Sequence, residues 1–226
     1  MADAQTPAPD PDATPIWYAA YGPDLLWDCM ERHLGGGELE PEAAALPGCA
    51  DPTPPIDERA LLIPHRLYFA GRARHWADGG DAFIDPTSGS GVTTFGRAWR
   101  VSRSQLVDLI RSKNGRSNLA IDLEALLASG SVCIAGKTPY GRLLRLADLD
   151  GLPVIACCSP RPFRPSVARP PSHACLGTLI AGLRETFNLG ANGVRSYLKD
   201  VPGVAGHYSG NAIERIHAET GTAEDA

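Results

Sequence analysis

The sequence predicts an α+β fold, in which a small mixed β-barrel or curled sheet is flanked by helices. Six or seven short apolar segments resemble strands, and several others have helical periodicity. The two kinds do not alternate strictly, which argues against a doubly wound parallel sheet. With 226 residues, the chain can form one large domain, which we predict over 16–220. A proline-rich leader at 1–15 and an acidic tail at 221–226 are predicted to be disordered.

The chain begins with a strand, a turn and a helix. The strand is predicted at Ile16–Ala20, the turn at Gly22-Pro23-Asp24, and the helix at Leu25–Leu34, before the glycines at 35–37. Such a joint can leave backbone N–H groups free to bind an anion or a carbonyl oxygen, although many purely structural joints share the pattern. The next segment, 38–58, contains five prolines and is predicted to be irregular.

Further strands in the first half of the chain are predicted at Ala60–Phe69, Asp81–Asp85 and Thr93–Val101. Pro64 marks a bulge or an edge within the first of these. A helix is predicted over Arg103–Lys113, because Ser102 is a suitable N-cap and Gly115 a suitable stop.

The second half is predicted to contain three closing strands, at Ser131–Ile134, Gly141–Leu146 and Pro153–Cys158. Four helical segments are predicted at Ile121–Leu127, His173–Phe187, Gly193–Leu198 and Gly210–Ile216. The proline-rich segment 161–171 is predicted to be a loop, and Ser172 caps the helix that follows it.

Composition excludes several classes of function. The net charge of -5 and the lack of a basic–aromatic run argue against nucleic-acid binding. No apolar run is long enough to cross a bilayer, so no membrane partner is expected. The six cysteines are scattered without CxxC spacing, which favours a reduced, cytoplasmic protein over a zinc site or a disulfide framework. We therefore predict no metal and no cofactor, and an oligomeric state that the sequence leaves open.

Several segments together resemble the γ-glutamylcyclotransferase superfamily, in a divergent, bacterial form. Trp17–Leu25 (WYAAYGPDL) is similar to the opening motif of that family, usually written YFAYGSNL. The strand Gly96–Val101 and the helix after it resemble the elements that carry the catalytic glutamate of the family. Asp150–Val154 and the helices near the C-terminus also fit.

This resemblance implies a mixed-barrel fold with one pocket and a characteristic reaction. The α-amine of a γ-glutamyl amide attacks its own γ-carbonyl, 5-oxoproline forms, and the amine partner leaves. A glutamate transfers the proton, and N–H groups of the opening turn bind the developing oxyanion. The implied substrate-binding residues are Tyr21, Gly22, Pro23, Asp24 and Leu25. Apart from the resemblance, Tyr140 lies in a glycine-bearing loop and is a further candidate for the pocket mouth, although a surface aromatic residue explains it as well.

Three departures from the family pattern concern the chemistry. Pro23 replaces a serine and has no N–H, and Asp24 replaces an asparagine that could donate. The position of the glutamate falls on Lys113 or Asn114, depending on the alignment. Lys113 could act as a base only if burial lowered its pKa. We take Lys113, Asn114 and Asp24 as the candidate catalytic residues.

Other carboxylates and reactive groups in the sequence also have structural explanations. Asp108 lies within a helix, and Asp122 and Glu124 begin one, where acidic side chains commonly interact with the helix dipole. Arg72, Arg74 and Trp76 form a cationic–aromatic group that could bind a carboxylate, although an exposed strand end explains them equally well. Cys157 or Cys158 as a nucleophile would need a nearby base.

The sequence therefore predicts an amide-cleaving lyase or acyltransferase of γ-glutamylcyclotransferase type, acting on a small amino-acid or amine conjugate. Two alternatives remain at this point. One is different chemistry on the same scaffold in a specialised biosynthetic pathway. The other is a non-catalytic protein that binds a small molecule. A carboxylate other than Asp24 in the pocket would favour an enzyme.

Overall fold

The computed structural model describes residues 14–41 and 43–222. These form an α+β fold with a six-stranded mixed sheet, a separate two-stranded hairpin and, within these ranges, six α-helices. The predicted leader and tail lie mostly outside the described residues. The exceptions are residues 14–15, of which Pro15 begins the first strand, and residues 221–222, which end the last helix.

The strands are β1 (Pro15–Ala20), β2 (Asp57–Ile63), β3 (His65–Ala73), β4 (Gly79–Ser88), β5 (Thr94–Ser102), β6 (Ser131–Cys133), β7 (Arg142–Arg145) and β8 (Val154–Cys158). The α-helices are α1 (Trp27–Gly35), α2 (Arg103–Asn114), α3 (Leu123–Ser129), α4 (His173–Phe187), α5 (Ala191–Leu198) and α6 (Gly210–Thr222). Short 3-10 turns lie at Pro23–Leu25 and Pro165–Val167.

The large sheet has the strand order β2-β5-β1-β8-β7-β6. β1 and β8 are parallel and the other neighbours are antiparallel. The α+β class is confirmed. The described strands form an open sheet with β2 and β6 at its edges, so they do not close into the barrel that was one predicted form.

β1 lies in the middle of this sheet and is buried from Ile16 to Ala20. Its Tyr18 pairs with Trp99 of β5 on one side and with Ile155 of β8 on the other. The turn after β1 therefore emerges from the centre of the sheet, where neighbouring strands flank β1 on both sides.

Several predicted bounds shift, and two of the changes affect the hairpin and the opening turn. The predicted strand Ala60–Phe69 is divided at Pro64 into β2, in the large sheet, and β3, in the hairpin. Proline has no N–H to continue a ladder, so the chain leaves one sheet there and enters another. The predicted helix Leu25–Leu34 begins only at Trp27, after the 3-10 turn.

No helix in the described part of the chain is long and apolar enough to cross a membrane.

Candidate functional site

A cavity of about 620 Å³ lies beside the turn that follows β1. It is lined by residues 21–24 of that turn, residues 72–76 and 78 of the β3–β4 hairpin, and residues 112–115 at the end of α2. Tyr18, His33, Asp81, Tyr140 and Cys157 also face it. The cavity therefore combines the predicted opening motif with the predicted end of α2.

Side chains of β5 hold the opening turn in place. The indole N–H of Trp99 donates to the carbonyl oxygen of Asp24 at 3.0 Å, and the guanidinium of Arg97 donates to that of Leu25 at 2.9 Å. On the other side, Gly182 lets α4 approach closely, because a Cβ there would lie 2.6 Å from Cβ of Leu25. Leu25 is consequently fully buried and does not line the cavity, which corrects its predicted role in binding substrate.

The N–H groups of the turn are largely used within the turn itself. The amide of Gly22 donates to Oδ1 of Asp24 at 3.3 Å, and the amide of Leu25 donates to the carbonyl oxygen of Gly22 at 3.0 Å. The predicted oxygen-binding position is thus occupied by the carboxylate of Asp24, a residue that the family pattern does not have there.

Asp24 forms a buried ion pair with Lys113. Its Oδ2 lies 2.9 Å from Nζ of Lys113, with side chains only 3% and 12% exposed, and it also accepts a hydrogen bond from the hydroxyl of Tyr18. Burial alone would raise the pKa of Asp24, but Lys113, His33 and Tyr18 together lower it.

Lys113 is held in its charged form by the same pair. Burial acts to lower its pKa, but the carboxylates of Asp24 and Asp81 outweigh burial, and the pKa is raised. The condition under which Lys113 could serve as a base is therefore not met. Its ammonium group also lies 5.1 Å from the ring centroid of Tyr140.

Asp81 is a second carboxylate at this cavity, and sequence reasoning assigned it only to a strand. Burial raises its pKa, partly offset by Lys113 and by the hydroxyl of Tyr140. It follows Gly79 and Gly80, and a Cβ on Gly80 would lie 2.2 Å from the carbonyl oxygen of Arg169. The available sequence signal for Asp81 as a site residue was its position, after two glycines and before an apolar strand.

Asn114 has a positioning role. Its Nδ2 donates to the carbonyl oxygens of Ile110 and Tyr140, at 2.9 and 3.2 Å, and its Oδ1 accepts from the amide of Tyr140 at 3.2 Å. Because its side chain is committed in this way, Asn114 holds Tyr140 and leaves no group for proton transfer. The hydroxyl of Tyr140 donates to the carbonyl oxygen of Ala82 at 2.8 Å.

Two buried polar atoms at the cavity have no hydrogen-bond partner among the described residues. They are Nδ1 of His33, on α1, and Oγ of Ser112, on α2. Their residues are 7% and 6% exposed. Burial and the nearby Lys113 lower the pKa of His33 to about 3, so its ring is neutral at physiological pH.

The rim carries the predicted cationic–aromatic group. Arg72 and Arg74 are exposed there, Trp76 is buried, and Arg72 forms an ion pair with Asp78. Within the described ranges, no ion pair involves Arg74. The turn is tight, since Ala77 and Asp78 both have left-handed backbone conformations, with φ of 46° and 59°.

The remaining candidates have structural partners elsewhere. Asp108 accepts from the amide of Ala50, Asp122 caps α3, and Glu124 pairs with Arg103; none of these acids lines the cavity. Burial raises the pKa of the Cys157 thiol to about 12, which disfavours a nucleophilic thiolate. Across the described part of the chain, no group of three or more His, Cys, Asp or Glu side chains is placed to hold a metal ion.

Comparisons with known proteins place this geometry in context. The fold is similar to that of a gamma-glutamyl cyclotransferase. That solved structure is 18% identical with a TM-score of 0.48, and the match covers 92% of this chain and 99% of the other. An uncharacterized protein from Homo sapiens matches with the same identity and TM-score, over 92% and 98% of the two chains.

A search of curated proteins finds histone deacetylase 5 of Arabidopsis thaliana, which is 26% identical over 198 residues. The match covers 81% of this chain and 30% of that protein, so the chain spans less than a third of its relative. No family model matches the sequence.

Proposed function

We propose that this chain is a divergent γ-glutamylcyclotransferase-like enzyme that cleaves a small amide by intramolecular aminolysis, with Asp81 as the proton acceptor. One observation carries the proposal: a second carboxylate, with a raised pKa, lines the same cavity as the charged Asp24–Lys113 pair. Two acidic groups whose surroundings move their pKa values apart are typical of sites that separate proton transfer from charge stabilisation. The family resemblance implies one carboxylate that transfers the proton, and we assign this role to Asp81.

In the proposed reaction, the neutral α-amine of a γ-glutamyl amide attacks the γ-carbonyl carbon. A C–N bond forms, and the proton lost by the amine passes to the carboxylate of Asp81. The C–N bond to the amine partner then breaks, and Asp81 returns the proton to the departing nitrogen. The products are 5-oxoproline and a free amine, and no oxidant or reductant is needed.

Lys113 is proposed to stabilise the oxyanion that forms on the γ-carbonyl oxygen. It is a buried cation, held by Asp24 and beside the rings of Tyr18 and Tyr140. A fixed positive charge in a low-dielectric cavity stabilises developing negative charge without reorganisation. It would replace the amides of Gly22 and Leu25, which already donate to Asp24 and Gly22.

Arg74 is proposed to bind the α-carboxylate of the substrate at the rim. It is exposed, lines the cavity, and is free of the ion pair that engages Arg72. A guanidinium is well suited to a carboxylate because it can donate two parallel hydrogen bonds.

The test is release of 5-oxoproline, followed by mass spectrometry, from a panel of γ-glutamyl amides that includes glutathione and γ-glutamyl amino acids. Asp81→Asn should lower kcat by at least about 100-fold, the usual scale of a lost general base. Asp78→Asn, a carboxylate of the same hairpin that pairs with Arg72, is the matched control and should retain most activity. Unchanged activity of Asp81→Asn, or no 5-oxoproline from any compound, would contradict the proposal.

A non-catalytic binding protein is the second candidate, favoured by the internal pairing of Lys113 with Asp24. It predicts saturable binding of the same amides without product release. A cytoplasmic location remains a prediction from composition, and a small-molecule partner remains a prediction from the family resemblance.

A further inference from the structure

The carboxylate of Asp24 is surrounded by hydrogen-bond donors from separate parts of the fold. Nζ of Lys113, on α2, lies 2.9 Å from Oδ2, and the hydroxyl of Tyr18, on β1, donates to the same oxygen. The amide of Gly22, in the opening turn, donates to Oδ1 at 3.3 Å. A cation, a hydroxyl and a backbone N–H are the donors with which proteins bind anions. Together they form a carboxylate-binding site, which a side chain of the same chain fills.

This carboxylate site is buried and requires a negative charge. The side chains of Asp24 and Lys113 are only 3% and 12% exposed, so the ammonium group is largely removed from water. A buried ammonium without a counter-ion is strongly destabilising, whereas a carboxylate at hydrogen-bond distance compensates its charge. Asp81 also attracts Lys113 but, within the described ranges, forms no ion pair with it. Asp24 is therefore the group that satisfies the site.

The site also borders the cavity, since Asp24 and its donors Tyr18, Gly22 and Lys113 all line it. Removal of the Asp24 carboxylate would therefore extend the cavity to these donors. While that carboxylate is present, a second anion at this place would meet a like charge at hydrogen-bond distance, which is unfavourable away from water. A neutral carbonyl oxygen carries no net charge to be repelled, and the ammonium of Lys113 has further N–H groups to donate to it.

We infer that Asp24 is a specificity-determining residue, which fills a carboxylate site from within the chain and excludes external carboxylates from it. The inference goes beyond the proposed function, because it concerns the charge that this site accepts and not the reaction. It has a consequence for that function: an anionic group of the substrate has to bind elsewhere, which is consistent with the placement of the α-carboxylate at Arg74. The position next to Lys113 is left for neutral groups.

Supplying the missing carboxylate from solution tests the inference. Formate has the same non-hydrogen atoms as the group that Asp24→Ala removes, and it should enter the vacated site in the full chain. The melting temperature of this variant should rise saturably with formate, with a dissociation constant of about 1–10 mM, as expected for so small a ligand. Sodium chloride keeps the ionic strength constant. The wild type should not respond, because Asp24 occupies the site, and neutral formamide should not stabilise the variant.

Matched variants separate this site from a general effect of formate. Asp24→Ala/Lys113→Met has the vacated volume without the cation, and it should lose the response to formate. Asp200→Ala truncates an exposed ion pair with Lys199 and should gain no response, because its lysine remains in water.

Several outcomes decide between the two possibilities. Folding of Asp24→Ala only in the presence of formate would support the inference, since the anion then replaces the missing side chain. Asp24→Ser is measured in parallel, and the inference is overturned if neither variant gains stability at about 100 mM formate. An equal response of the wild type, or a response that persists without Lys113, overturns it too. Release of 5-oxoproline by the wild type judges the proposed function separately, so either can fail alone.

Discussion

Asp24 and Asp81 line the same cavity, yet their surroundings move their pKa values in opposite directions. Asp24 is held by the ammonium of Lys113, the hydroxyl of Tyr18 and the amide of Gly22. Asp81 lies at the start of β4, where burial outweighs the attraction of Lys113. Asp81 also has hydrogen-bond partners, the amide of Ala82 and the hydroxyl of Tyr140, but within the described ranges it forms no ion pair. The direct ion pair with Lys113, and not the number of partners, therefore distinguishes Asp24 from Asp81.

Removing the cation that pairs with Asp24 should have the largest effect on stability. Lys113→Met leaves the carboxylate of Asp24 buried without its counter-ion, so we expect a loss of about 3–5 kcal/mol in the free energy of unfolding, measured in urea. The Asp24→Asn/Lys113→Met double variant should recover part of this loss, because no unpaired charge is left. Lys199→Met, at an exposed ion pair with Asp200, should change stability by less than about 0.5 kcal/mol. A comparable loss in the two lysine variants would refute the buried-pair interpretation.

Displacing the strand end that carries Asp81 should have the next largest effect. In Gly80→Ala, the new Cβ would meet the carbonyl oxygen of Arg169, so we expect a loss of about 1–3 kcal/mol in stability together with reduced kcat. Gly136→Ala is the control, since a Cβ there meets no atom within 4 Å. If Gly80→Ala were as stable and as active as the control, the close approach of segment 169–172 would not be what positions Asp81.

Tyr140→Phe should make Asp81 still easier to protonate, and so increase its difference from Asp24. The phenol lowers the pKa of Asp81, so its removal should move the acid limb of the kcat/KM profile to higher pH. Loss of the hydrogen bond to Ala82 should cost about 1 kcal/mol of stability. Tyr208→Phe loses a similar bond, to Pro171, and should leave the acid limb in place. If the acid limb of the kcat/KM profile did not move in Tyr140→Phe, the hydroxyl of Tyr140 would not influence the proton acceptor.

The smallest effect is expected for Asp81→Asn, on the pH dependence of the free energy of unfolding. Because the folded chain binds the proton of Asp81 more tightly than the unfolded chain does, the cost of its charge is absent at acid pH and appears as pH rises through the folded pKa. Asp81→Asn should therefore gain stability relative to the wild type as pH rises to neutrality. For Asp24, whose folded pKa is lowered, stability is instead lost as pH falls through that value. Urea unfolding from pH 3 to pH 7 measures both, and a gain for Asp81→Asn only at acid pH would contradict this sign.

Helix ends with local signals were predictable. α2 begins after Ser102, whose side chain forms a capping box with Gln105, and Gly115 ends it in a left-handed conformation. α4 has the predicted bounds, His173–Phe187, because Ser172 caps its first turn. These signals act within a few residues, so they can be seen in the sequence. The break at Pro64 was visible too, but the sheet that each half joins depends on distant strands.

The candidate site was predictable in part. The opening motif and the end of α2 were expected to share a pocket, and the cavity does bring Asp24 and Lys113 together. Asp81, His33 and Ser112 were not among the predicted site residues. Each has ordinary sequence surroundings, in a strand or a helix, and acquires its character only from burial beside residues far along the chain.

By itself, the sequence determined the α+β class, most segments and the opening motif, because periodicity, caps and proline positions act locally. Only the tertiary structure decided which carboxylate is paired and which is not. The charge state of Lys113, the raised pKa of Asp81 and the unpartnered atoms of His33 and Ser112 depend on which groups meet at the buried wall of the cavity. Electrostatic energies of this kind vary with distance and burial, which are set by the packing of segments remote in sequence.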